Sequence, residues 1–123
     1  MNGLDCAVLG TLTRVVKHFE DAAQDAEFET WMELLMLAAP YKAALVNAAY
    51  NGERGLTVGY LRAAQGRMQG GGLSDMIGVT ERFADALEGC DSGPAALGDI
   101  RELGNALQLE AGRTARGIVE AGS

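Results

Sequence analysis

The sequence FETWMELLMLAA occupies residues Phe28–Ala39 and points to an all-α fold. When these residues are placed on a helical wheel at about 100° per residue, their apolar side chains fill an arc of roughly 200°, with Leu37 outside it. The arc consists of Leu34, Ala38, Trp31, Leu35, Phe28, Ala39, Met32 and Met36. A peripheral helix of a small protein buries a narrower stripe. We therefore expect this segment either to lie at the centre of a helical bundle or to present one flank to another chain.

One flank of this arc has the composition of a protein-binding surface. It carries Met32 and Met36 beside Glu29 and Glu33. Thioether side chains adapt to the shape of a partner, and carboxylates receive basic residues at the rim of an interface. We predict that these four residues contact another protein with a basic rim, or a second copy of the chain. The alternative is a central core helix in which both methionines are buried, and Trp31 is expected to face inward in either case.

The same three-and-four spacing of apolar residues predicts the helices on both sides of this segment. Leu4–Ala22 forms one amphipathic stripe of about five turns. Pro40 predicts a kink or a short break, because proline cannot donate a backbone hydrogen bond inside a helix. A short helix over Tyr41–Tyr50 then ends at Asn51–Gly52, since both residues tolerate the left-handed conformation of a helix C-terminus.

The second half of the chain predicts three further segments. Thr57 is expected to cap a helix over Thr57–Gln69, and Ser74 to cap one that Gly89 closes. Pro94 falls in the first turn of the last helix. No β-branched residues alternate over the length of a strand. We therefore predict an all-α, compact bundle of five to six helices, with residues 1–123 as a single helical domain and Phe28–Ala39 at its centre.

Small residues recur at helical spacing in two places. The first series is Gly59, Ala63, Gly66 and Gly70, and the second is Gly104, Ala111 and Ala115. A glycine inside a helix costs about 0.5–1 kcal/mol relative to alanine, so the close approach of a neighbouring helix is a reasonable compensation. We expect tight helix crossings at both series, with a glycine-rich composition as the alternative explanation.

The charge of the chain bears on its partners. A net charge of −7 repels nucleic acid, whose binding depends on cations that neutralise phosphates. The alternative function is nevertheless a DNA-binding transcriptional regulator, because the helices over Tyr41–Tyr50 and Thr57–Gln69 resemble a helix-turn-helix pair in a locally basic region. In that case the second helix reads DNA through Tyr60, Arg62, Gln65 and Arg67.

The residues that carry chemistry are few. His18, the single histidine, falls on the polar side of the first helix, where we expect it to be solvated. Cys6 and Cys90 form no CxxC pair and are expected to be reduced and partly buried. Two cysteines and one histidine supply too few ligands for zinc, and Glu29 with Glu33 lacks the histidines of a bundle metal site.

These observations favour a non-enzymatic protein-binding module, such as an adaptor, a small regulator or inhibitor of another protein, or an assembly chaperone. No cofactor is predicted. A cytoplasmic location without membrane contact is expected, because no stretch has the length and hydropathy of a membrane span or a secretory signal. An enzyme whose site these patterns do not reveal is the third alternative.

Overall fold

A computed structural model describes residues 3–68, 73–89 and 94–122, and within these ranges it contains helices and no strand. The prediction of an all-α fold is therefore confirmed, and the described helices number five, within the predicted five to six. They are α1 (Gly3–Ala23), α2 (Phe28–Tyr50), α3 (Arg54–Met68), α4 (Ser74–Gly89) and α5 (Pro94–Gly122).

The helices form a closed ring around one core. Each helix packs against the next one along the chain, and α5 returns to pack against α1, with a smaller contact to α2. Apolar residues from all five helices are buried inside. The phenol of Tyr41 on α2 stacks on Phe19 of α1 with 6.2 Å between ring centroids. Its hydroxyl shares a hydrogen bond of 2.7 Å with Thr80 of α4, a helix that is not adjacent to α2 in the ring.

Pro40 does not interrupt α2, which runs through it for 23 residues. The predicted short break and the separate helix over Tyr41–Tyr50 are therefore wrong, and the alternative of a kink stays a prediction. The helix loses the backbone hydrogen bond that the missing N–H would have donated to the Met36 carbonyl. Pro40 and its neighbour Tyr41 are buried against the core, and this burial outweighs the loss of one hydrogen bond of about 1 kcal/mol.

The turn between α2 and α3 is built on buried Asn47. Its side-chain amide donates hydrogen bonds of 2.8 Å both to the Glu53 carbonyl and to the Thr57 hydroxyl. The predicted end at Asn51–Gly52 is confirmed, and Gly52 takes the left-handed conformation with φ of 66°. The predicted N-cap at Thr57 is wrong, because α3 begins at Arg54 and the Thr57 hydroxyl is taken up by Asn47 inside the fold.

The two series of small residues have different environments. At Gly104, an added Cβ would collide with the Thr11 hydroxyl, so α5 and α1 approach closely there, as predicted. At Gly59 and Gly66, an added Cβ would meet no atom within 4 Å. The predicted crossing at the first series is wrong, because these glycines lie on the exposed side of α3; Gly70 lies outside the described residues.

The remaining helix ends differ from the predictions by small amounts. Ser74 is the first residue of α4 instead of its cap, and the Ile77 N–H donates to the Leu73 carbonyl. The predicted end of that helix at Gly89 is confirmed. The last helix begins at Pro94, as predicted, and runs for 29 residues to Gly122.

Candidate protein-binding surface

Helix α2 is apolar on two opposite sides. One side holds the buried residues Leu34, Leu37, Ala38, Tyr41 and Ala44, which face α1, α3 and α5. The opposite side, called here the outer face of α2, holds exposed or half-buried apolar residues along the whole helix. Its members are Phe28, Trp31, Met32, Leu35, Met36, Ala39, Ala43, Val46 and Tyr50. The core uses the first side, and from the second side half-buried Leu35 also packs against it.

Trp31 belongs to the exposed side. Its indole is 40% exposed and stacks on Phe28 with 5.8 Å between ring centroids. The predictions that Trp31 faces inward and that Phe28–Ala39 lies at the centre of the bundle are therefore wrong. The reason is that the core side of the helix includes Leu37, which is buried although the predicted arc left it out.

A groove lies where the outer face of α2 meets the end of α3 and the start of α4. This Met groove has a volume of about 700 Å³ and is lined by Glu29, Met32, Glu33, Met36, Leu37, Arg67, Met68 and Leu73. All four residues predicted to contact a partner thus line one groove. The structure adds Arg67 and Met68 from α3 and Leu73 from the segment before α4, which sequence reasoning had missed.

Arg67 donates a hydrogen bond to the backbone carbonyl that Pro40 leaves without its helical donor. Because Pro40 has no N–H, the Met36 carbonyl lacks its helical donor. The Arg67 guanidinium donates a hydrogen bond of 3.4 Å to this carbonyl from α3. A proline four residues after Met36 signals the unpaired carbonyl in the sequence, but the donor comes from a helix whose packing the sequence does not reveal.

The acidic edge of the outer face is formed by Glu29 and Glu33, which are both exposed. Neither carboxylate forms an ion pair with any residue in the described ranges. They also line a second groove of about 530 Å³, which holds Asp75, Glu110 and Arg113. On the opposite edge, Lys42 is bound by Glu20 of α1 at 2.9 Å.

Three of the four residues predicted to read DNA are bonded to other residues of this chain. Arg62 forms ion pairs with Asp85 at 2.8 Å and Glu88 at 2.7 Å, and hydrogen bonds to these carboxylates raise the pKa of its guanidinium. Gln65 is half-buried and donates to the Ile77 carbonyl. Arg67 donates to the Met36 carbonyl. Tyr60 is exposed, and its side chain forms no hydrogen bond to another described residue.

The other candidate residues lie apart from this surface. His18 is exposed on α1, as predicted. Cys6 is a free, exposed thiol, which corrects the expectation of partial burial for this residue, whereas Cys90 lies outside the described residues. Among the residues that the structure describes, no three His, Cys, Asp or Glu side chains are grouped to hold a metal ion.

Comparison with protein-family models, with curated proteins and with solved structures finds no match to this chain. None of the described helices has the length and hydropathy to cross a membrane. The function therefore has to be inferred from the chemistry of the surface itself.

Proposed function

We propose that this protein is a non-enzymatic protein-binding module that acts through the outer face of α2 and the adjoining Met groove. An adaptor, a small regulator or inhibitor, and an assembly chaperone all belong to this class. One observation carries the proposal: α2 exposes apolar side chains from its first residue to its last. The side chains of Phe28, Met36 and Tyr50 are 69%, 57% and 85% exposed.

The size of this surface supports an interface. An aromatic side chain can bury about 150–250 Å², so the exposed parts of Phe28, Trp31 and Tyr50 alone amount to roughly 400 Å². Phe28 and Trp31 lie at one end of α2 and Tyr50 at the other, with exposed Met32, Met36 and Val46 between them. Together these residues reach the size of the largest apolar patch of a typical monomer, about 300–600 Å², which is often functional. Exposed Leu56 and Tyr60 enlarge it, because they share with Arg67 the side of α3 that turns toward α2.

The composition of the Met groove supports the same function. Met32 and Met36 bring two exposed, flexible thioethers to one concave surface, which buried Met68 also lines. Methionine-rich surfaces adjust to the shape of a partner segment. The carboxylates of Glu29 and Glu33 at the edge form no ion pair within residues 3–68, 73–89 and 94–122, and basic groups of a partner can bind them. An apolar centre with a charged rim is the usual anatomy of a protein–protein interface.

DNA binding, the alternative function, has no observation in its favour. Arg62 is held by two carboxylates, and its release would leave Asp85 and Glu88 without their cation. Much of the affinity for nucleic acid comes from Lys and Arg side chains that neutralise phosphates, and the chain carries seven more acidic than basic residues. These charges and ion pairs favour protein binding over DNA binding.

Site-specific photo-crosslinking tests this proposal. A photoreactive amino acid is placed at Met36 and, as a control, at Leu109, an apolar residue of α5 with nearly the same exposure of 58%. We expect ultraviolet irradiation in lysate of the native host to give a discrete adduct from position 36 and none from position 109. Met32→Gln, introduced with the label at 36, should reduce the yield of the adduct at least fivefold.

The mass of the adduct identifies the class of partner. A product of twice the mass of the chain means a second copy, and any other discrete mass means a different protein. Equal adduct patterns from positions 36 and 109, or a yield that Met32→Gln leaves unchanged, would contradict the assignment of this surface.

A further inference from the structure

The exposed and half-buried apolar residues of the outer face form one stripe along α2. Its residues Phe28, Met32, Met36, Ala39, Ala43, Val46 and Tyr50 are separated by six steps of three or four residues. The mean step is about 3.7 residues, close to the 3.6 residues of one helical turn, so the stripe stays almost parallel to the helix axis. Over the 23 residues of α2 it extends for about 33 Å. A second α-helix laid alongside α2 meets apolar side chains over this whole length.

The charge at the edges of the stripe is unbalanced. Glu29 and Glu33 lie one turn apart beside the Met groove and have no cationic partner among the described residues. In the groove on their other side, Asp75 and Glu110 add negative charge, and Arg113 is drawn to Glu110 at 3.6 Å. The acidic edge therefore favours an occupant that brings positive charge with it.

A second copy of this chain supplies little of that charge from its own α2. In an antiparallel pair, Glu29 and Glu33 would approach the other end of the partner's helix, where residues Val46–Tyr50 contain no Lys or Arg. Lys42, the cation of α2, is already paired with Glu20 at 2.9 Å. In a parallel pair, the glutamates of the two copies would lie near each other and repel. Each copy also carries a net charge of −7, which opposes self-association.

We propose that the occupant of the outer face of α2 is a basic amphipathic helix of another protein. Its apolar stripe packs along the residues from Phe28 to Tyr50. Its Lys or Arg residues form ion pairs with the carboxylates of Glu29 and Glu33. This inference rests on the proposed function and adds the chemistry of the partner to it. Helix-in-groove recognition of this kind uses apolar anchors at helical spacing for affinity and charges at the edge for orientation.

The experiment uses two synthetic helical peptides of about 22 residues as probes, matched to the length of the stripe. Both carry the same leucine stripe, and the remaining positions are mainly lysine in one and glutamate in the other. Trp31 is the single tryptophan of the chain and lies on the outer face, so its fluorescence reports binding of a tryptophan-free peptide. We expect the lysine peptide to bind at least tenfold more tightly than the glutamate peptide at low ionic strength, and the preference to shrink as salt is added.

Two pairs of variants separate the acidic edge from the overall charge. Glu29→Gln/Glu33→Gln removes the edge carboxylates, whereas Glu81→Gln/Glu102→Gln removes the same charge from exposed residues of α4 and α5. We expect the first pair to weaken binding of the lysine peptide at least fivefold and the second to change it less than twofold. Met36→Gln should weaken binding at least fivefold, and Leu109→Gln should leave it unchanged.

The results that overturn the inference are distinct from those that overturn the proposed function. Equal affinity for the two peptides, or equal effects of the two glutamate pairs, rules out recognition of a basic helix while the crosslink from position 36 still supports protein binding. A dimer in solution that Met36→Gln dissociates replaces the basic helix with a second copy. Failure of both peptides to bind, with no crosslink from position 36, rejects the surface altogether.

Discussion

The hydroxyl groups of Tyr41 and Thr80 meet at 2.7 Å inside the ring of helices, and neither side chain is exposed. Burial raises the pKa of the Tyr41 phenol well above its ordinary value, more than the hydrogen bond to Thr80 lowers it. The phenol is therefore neutral at pH 7 and able to share its proton with Thr80. A buried polar pair of this kind is tolerated because each group satisfies the other.

A double-mutant cycle on this pair should show strong coupling. Tyr41→Phe leaves the Thr80 hydroxyl buried without a partner, and Thr80→Val leaves the Tyr41 hydroxyl in the same state. Each change should lower the free energy of unfolding by about 1–3 kcal/mol. The double variant should cost less than the sum of the two, because both buried polar groups are gone. Urea unfolding at pH 7 measures all four proteins, and additive effects would contradict the hydrogen bond.

At the scale of the element, the turn between α2 and α3 depends on one buried amide. Asn47 holds the Glu53 carbonyl and the Thr57 hydroxyl, and its own side-chain oxygen accepts a hydrogen bond of 3.1 Å from Asn51. Asn47→Ala breaks all three contacts and should lower the free energy of unfolding by about 2–3 kcal/mol. Asn51→Ala, at an exposed position, should cost less than about 1 kcal/mol.

Denaturant unfolding and amide hydrogen exchange check this prediction together. In Asn47→Ala, the amides at the start of α3 should exchange faster than those of α4, because the turn opens locally before the ring unfolds. Equal stability of the Asn47 and Asn51 variants would mean that the turn is held by its backbone alone.

The same elements indicate what the sequence could and could not predict. The spacing of apolar residues is sufficient for the helical class, and the pair Asn51–Gly52 is sufficient for the end of α2, since both signals depend on residues close together in the chain. Pro40 and Thr57 were misinterpreted because local preference gave way to tertiary contacts: Pro40 is buried, and Thr57 serves Asn47 ten residues away. Local propensity is a weak guide wherever such contacts compete with it.

For the surface, the helical wheel brought Glu29, Met32, Glu33 and Met36 together, because all four belong to one helix. Arg67, Met68 and Leu73 complete the Met groove from other segments, and their positions depend on how the helices pack. The orientation of Trp31 depends on packing in the same way. Which half of a 200° apolar arc faces the core is decided by the neighbouring helices and not by the arc.

At the scale of the whole molecule, the stability of the closed ring of helices should not depend on the exposed apolar side chains of the outer face of α2. Met32 and Met36 are about half exposed, so Met32→Gln and Met36→Gln remove little buried surface, and each should change the free energy of unfolding by less than about 0.5 kcal/mol. Leu34 lies between them in the same helix and is fully buried. Leu34→Ala should cost about 2–5 kcal/mol, a large fraction of the roughly 5–15 kcal/mol that stabilises a domain of this size. Thermal melting and solution mass, measured for the three variants and the parent protein, separate an exposed face from a packed one. A loss of melting temperature in the methionine variants as large as that of Leu34→Ala would mean that the core uses both sides of α2, leaving no surface for a partner.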